Sequence, residues 1–264
     1  MLLQLYRLVV LLLFLVFINL LCLANDSRIE GSFYYNQFNP SSVYGNNKVY
    51  SLKYYKRINE YQTNFLEYYH NDGYNERTSS LLVWGMYKDW NENLYTYSTI
   101  SAGTKSDIIP KFRIHNEFNY KLGKNKNFVL TLGLSYTKYH NNYEDFSFIY
   151  GFSFYFSGGV FTYKRFSSNI NPGSTNPSTN LLSLGLGNEK KMWLYLDYSF
   201  GNQSYLISNV YSLPFIFDED FRFYKISYRT WMRNNLGLIL EYDYLDLKNS
   251  YIKNGIMIGL FYEL

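Results

Sequence analysis

From Phe146 to Phe156 the chain runs FSFIYGFSFYF, and every second residue is aromatic: Phe146, Phe148, Tyr150, Phe152, Phe154 and Phe156. Between them stand Ser147, Ile149, Gly151, Ser153 and Tyr155. A strand sends alternate side chains to opposite faces, so one face is greasy and the other small and mostly polar. A soluble sandwich strand seldom carries six aromatics in a row on one face. A strand with hydrocarbon on one side and a wet lumen on the other reads this way.

The alternation recurs on both sides of this stretch. Phe112, Ile114, Phe118, Tyr120 and Leu122 share one face, with Asn116 as its polar member; Lys111, Arg113, His115, Glu117, Asn119 and Lys121 share the other. Phe128, Leu130, Leu132, Leu134 and Tyr136 oppose Val129, Thr131, Gly133, Ser135 and Thr137. Leu194, Leu196, Tyr198 and Phe200 oppose Trp193, Tyr195, Asp197 and Ser199. Similar pairs of faces run through 182–187, 224–232, 236–244 and 255–264. A charge near the middle of a lipid-facing strand costs roughly 2–4 kcal/mol. In the clean segments the charges gather on the second face, which helical spacing would not produce.

Composition agrees. Aromatics make up 21% of the 264 residues, with 31 Tyr and 21 Phe against 5 Pro. Tyr and Phe favour strands and interfacial belts. The formal charge of +4 is small and evenly spread, which gives no sign of a nucleic-acid partner. Residues 1–24 carry Arg7, the apolar run Leu8–Leu23 and small residues at Cys22 and Ala24, the order of a cleaved signal peptide. Cys22 is the only cysteine, and the 240 residues after Ala24 have none. A secreted domain without disulfides needs a large core or a closed hydrogen-bonded barrel.

The connections alternate in length. Those at 58–60, 91–93, 123–127, 188–191 and 233–235 are short and polar; those at 40–46, 105–110, 170–178 and 201–219 are longer. Bacterial barrels have short periplasmic turns and longer outer loops, and even strand numbers. The expectation is an all-β fold: a transmembrane, antiparallel, up-and-down barrel over residues 25–264. It has about fourteen strands, with twelve to sixteen allowed. Residues 77–104 read least clearly, because Leu81, Leu82, Val83 and Trp84 run together without alternating.

From about Asn47 to Leu264 the chain resembles the YaiO-type outer-membrane β-barrel family. The resemblance rests on Phe112 to Tyr120, on Leu132-Gly133-Leu134-Ser135-Tyr136, and on Tyr163-Lys164-Arg165-Phe166. Leu182-Ser183-Leu184-Gly185-Leu186-Gly187 before a short turn and Ile258-Gly259-Leu260-Phe261-Tyr262 complete it. It implies a barrel in the outer membrane of a Gram-negative-type bacterium and brings no catalytic residues with it. The partners implied are outer-membrane lipid, lipopolysaccharide and the barrel-assembly machinery.

Chemistry is sparse. His115 and Glu117 share an inward face, and Ser135 on the next strand would complete a hydrolytic trio. Ser and Gly crowd every lumenal face, so such a trio arises by chance, and a polar network around His115 is the plainer reading. The expectation is no enzyme and no cofactor. The acidic clusters 143–145 and 218–220 read as solvated loop charge rather than Ca²⁺ sites.

The lumenal charges say more. Lys53, Arg57, Arg113, Glu117, Lys121, Lys138, Lys164, Asp197, Lys225, Arg229, Glu241, Asp243 and Lys253 are placed on the inward face. Arg229 is expected on the strand next to Glu241 and Asp243, where opposite charges stabilise the sheet. One reading is a rigid, filled interior. The other is an aqueous path whose excess of Lys and Arg favours anions or acidic glycans. Tyr44, Tyr74, Tyr143 and Tyr211 could stack on sugars or anchor in the interfacial belt. Three functions follow: a passive channel or a surface-polysaccharide export pore, a non-conducting structural or interaction barrel, and, last in order, an outer-membrane lipid hydrolase. A barrel of about fourteen strands leaves a lumen unless something fills it, which favours the channel.

Overall fold

The computed structural model describes residues 26–41, 45–74, 77–104, 109–140, 142–172, 176–202 and 219–264. The signal peptide expected at 1–24 and most of the 201–219 connection lie outside them. Fourteen strands form one closed antiparallel barrel. They are β1 (Ser27–Asn39), β2 (Asn46–Asn59), β3 (Gln62–Tyr74), β4 (Arg77–Asp89), β5 (Leu94–Gly103), β6 (Phe112–Leu122) and β7 (Phe128–Lys138). Then come β8 (Glu144–Phe156), β9 (Gly159–Asn171), β10 (Ser178–Asn188), β11 (Met192–Asn202), β12 (Asp220–Trp231), β13 (Leu236–Leu247) and β14 (Tyr251–Glu263). Each strand pairs with its neighbours in sequence, and β1 closes on β14 from Arg28↔Glu263 to Asn39↔Ile252. Closure leaves no unpaired edge, the condition for a sheet to cross hydrocarbon.

The burial pattern is inverted relative to a soluble domain. Phe118 is 54% exposed, while Glu117 beside it is 5% exposed. Phe146, Phe148, Tyr150, Phe154 and Phe156 likewise stand exposed on the outer wall, and Ser147, Ile149 and Ser153 are buried inside. The aromatic stripe read in the sequence is thus a lipid-facing wall.

Short turns and both ends of the described chain share one rim. The two-residue turn between β8 and β9 is Ser157-Gly158, where Gly158 has φ 79°. That left-handed conformation suits glycine. At the β4–β5 turn the Asn91 carboxamide oxygen accepts from the backbone N–H of Asn93 and of Leu94, both at 2.9 Å. This is an asparagine standing in for the next backbone carbonyl. The longer connections gather at the opposite rim, which by the barrel rule faces outward from the cell.

The unclear stretch 77–104 resolves into β4 and β5. Leu82 and Trp84 face lipid, while Leu81 and Val83 are buried inside against Phe65 and Ile109. Both faces are apolar because Ile109, from the β5–β6 connection, folds onto the inner wall. Alternation by polarity therefore vanishes although alternation by direction persists. A second buried apolar cluster joins Phe38, Phe221, Phe223, Leu245, Leu247 and Tyr251 at the outer end of β1 and β12–β14.

Candidate functional site

The inner wall carries two polar chambers. The first, of about 380 Å³, is bounded by β4–β10. Tyr87, Tyr95, Tyr97 and Tyr155 face it, with Arg113, His115, Glu117 and Lys164. Lys164 Nζ donates to both Glu117 carboxylate oxygens, at 2.8 and 2.7 Å. His115 Nε2 lies 3.4 Å from the same carboxylate. Arg113 Nε donates to Ser135 Oγ at 3.2 Å, and its charge reaches Asp145.

The second chamber, of about 430 Å³, is bounded by β1–β3 and β10–β14; Leu181 borders both. Its charges are paired. Lys53 Nζ is 3.2 Å from Glu67 and sits over the rings of Phe65 and Tyr55, at 4.4 and 4.8 Å. Lys225 Nζ is 3.1 Å from Asp197 and 3.9 Å from Glu241. Lys253 Nζ is 2.9 Å from Asp243 and donates to the Tyr34 hydroxyl at 3.2 Å. Glu30 bridges two arginines, at 2.9 Å from Arg229 and 2.9 Å from Arg28.

Of the sequence-predicted lumenal charges, Lys53, Arg113, Glu117, Lys164, Asp197, Lys225, Arg229, Glu241, Asp243 and Lys253 line one of the chambers. Lys121 lies on the same face nearer the short-turn rim, 3.2 Å from Asp89. Two placements change. Arg57 is at the β2–β3 turn, exposed, its Nε 3.4 Å from the Asn59 carbonyl; it belongs to the rim. Lys138 shares the parity of Leu134 and Tyr136, faces outward and pairs with Glu144 at 2.6 Å. Arg229 on β12 does lie on the strand next to Glu241 and Asp243 on β13, but its ion pair is with Glu30 on β1, across the lumenal side of the barrel seam.

Sequence reasoning missed Arg28, Glu30, Glu67, Asp89 and Asp145. Most of these are acids. With them the lumenal signs come close to balance, and the wall is a ladder of internal pairs rather than a basic lining. The signal was present in Glu30, Ser32, Tyr34 and Asn36 alternating with Phe33 and Tyr35.

In the trio of His115, Glu117 and Ser135 the serine is engaged elsewhere. Ser135 pairs with His115 in register, but its Oγ accepts from Arg113, and His115 Nδ1 has no hydrogen-bond partner. No nucleophile-to-base contact links the trio. The acidic clusters are engaged by protein groups: Glu144 by Lys138, Asp220 by Lys248 at 2.5 Å, and Glu219 by Ser250 Oγ at 2.8 Å. Of the tyrosines considered for sugar stacking, Tyr44, Tyr211 and the Tyr74 side chain lie outside the described residues.

Comparison with solved structures returns outer-membrane barrels. The Acinetobacter baumannii outer membrane protein Omp33 aligns at TM-score 0.51 and 10% identity, over 90% of this chain and 99% of that one. Pseudomonas aeruginosa OccK7 (OpdD) aligns at TM-score 0.52 and 8% identity, over 90% and 98%. A bacterial polysaccharide outer membrane secretin aligns at TM-score 0.52 and 7% identity, over 91% and 99%. These likenesses establish the fold. No curated protein matches the chain. The YaiO membrane beta barrel domain matches residues 26–206. With its closed fourteen-strand wall and inverted burial, the chain belongs to the YaiO membrane β-barrel family and is a protein of the outer membrane.

Proposed function

We propose that the barrel is a narrow passive channel for small polar solutes of little net charge. The observation that carries this reading is the pair of polar chambers inside the wall, of about 380 and 430 Å³, whose cations are held by lumenal carboxylates. Paired charges project a weak net field, so the passage selects by size and hydrogen bonding more than by sign. This replaces the anion preference expected from the Lys and Arg residues alone.

A second reading, a barrel that does not conduct, is supported by the two buried apolar clusters, one of which includes the inward-folded Ile109. Uptake into proteoliposomes separates the two. The channel passes small neutral sugars and excludes larger ones by size. Folded protein that admits none of them overturns the channel and leaves the closed barrel.

A further inference from the structure

The outer wall holds an arginine in the middle of a strand. Arg165 on β9 stands between Lys164 and Phe166, both of which line the first chamber, so its own side chain points away from the lumen. Its strand partners are Tyr150 and Asn180. A charge facing hydrocarbon is costly, and this one is not neutralised: among the described residues Arg165 forms no ion pair, and its Nε lacks a hydrogen-bond partner.

The surroundings of Arg165 are equally unusual. Towards the long-connection rim, the same face of β9 continues with Ser167 and Asn169, and β10 answers with Ser178 and Asn180. Arg165 Nη2 donates to Ser178 Oγ at 3.3 Å. The Tyr163 hydroxyl donates to Asn180 Oδ1 at 3.0 Å, and Asn169 Nδ2 to Asn176 Oδ1 at 3.1 Å. At the flanking strands the wall returns to aromatics, Phe146 and Phe148 on β8 and Tyr198 and Phe200 on β11. On the neighbouring β8 the carboxylate of Glu144 is already bound by Lys138. One sector of the wall thus offers a single positive charge amid hydroxyls and amides, on the half that faces the outer leaflet.

We propose that this sector binds the phosphorylated sugar headgroup of an outer-leaflet glycolipid. A guanidinium matches phosphate oxygens with paired N–H donors. The hydroxyl and carboxamide groups around it suit sugar hydroxyls, and the flanking aromatics suit acyl chains. The patch lies outside the barrel, so it stands or falls independently of conduction.

The test is native mass spectrometry of the full-length barrel folded in detergent. The probes are a phosphorylated glucosamine-disaccharide lipid, its dephosphorylated form and phosphatidylglycerol. The first binds wild type about tenfold more tightly than Arg165→Leu, the loss expected for one charge-assisted contact. The dephosphorylated lipid binds weakly and equally to both. Leu suits a lipid-facing site, and heat-modifiable gel mobility verifies folding; Arg165→Gln is the second variant should Leu not fold. Equal binding of the phosphorylated lipid to wild type and variant overturns the site. Phosphatidylglycerol binding as tightly as the glycolipid overturns the sugar assignment. A wild-type oligomer that Arg165→Leu dissociates overturns the lipid in favour of a second copy of the chain.

Discussion

Lys164 on β9 grips Glu117 on β6 through both carboxylate oxygens, across the two strands that separate them. Each partner faces a glycine on the strand next to it. Gly133 pairs with Glu117, and Gly151 pairs with Lys164. A Cβ on Gly133 would meet Glu117 Cγ at 3.0 Å, and one on Gly151 would meet Lys164 Cγ at 3.0 Å. The two long side chains lie flat along the wall where any larger residue would lift them into the lumen.

Removing one partner of this pair should therefore cost more than a surface pair does. Lys164→Met leaves the Glu117 carboxylate, 7% exposed, with only His115. The expected loss is about 2–3 kcal/mol, between surface and fully buried ion pairs. Adding Glu117→Gln should restore most of it. Urea unfolding of the refolded barrel measures both; an unchanged single variant would show that the pair contributes nothing.

The glycines should differ sharply among themselves. At Gly151 a Cβ would come within 2.1 Å of the Tyr163 carbonyl oxygen, while at Gly31 nothing lies within 4 Å. Gly151→Ala is expected to destabilise the barrel by about 1–3 kcal/mol, the range for overpacking. Gly31→Ala should be close to neutral. The order of their unfolding midpoints checks the packing of this wall.

Lys225 is shared by Asp197 and Glu241. Lys225→Met leaves two carboxylates facing the second chamber without their cation. Current through the variant should shift towards cation preference, read as a moved reversal potential in a salt gradient. Asp197→Asn with Lys225→Met should move it back.

At the short-turn rim, the hydrogen bond from Lys126 Nζ, at 2.6 Å, holds the Glu92 carboxyl below the usual carboxylate range. A lowered value in the folded state means a contribution present above the ordinary carboxylate pKa. It is lost as pH falls through the folded-state value. Both groups are at the surface, so the effect is small. Glu92→Gln should slightly lower stability near neutrality and flatten the acid limb against pH, with no change below the folded-state value.

The outer wall was legible in sequence because its signal is local. Phe112, Ile114, Phe118 and Tyr120 announce a lipid face within nine residues, whatever the partners. Parity alone also places Lys138 outside with Tyr136. The pairs were not legible: Lys164 and Glu117 meet only once three strand registers are known, and Glu30 meets Arg229 only across the closed seam. The apolar interior at Leu81 and Val83 depended on a connection folding back through Ile109. Local alternation cannot carry such contacts. The near balance of lumenal charge went unread because acids such as Glu67 and Asp145 lie on strands whose alternation is weak or at strand ends.

Single-channel recording of the purified, refolded protein in a planar bilayer reads conduction itself. An open lumen with paired charges gives a small steady conductance with little preference between anions and cations, tilted towards cations by Lys225→Met. A silent bilayer from protein that shows heat-modifiable mobility would contradict it and identify a closed barrel.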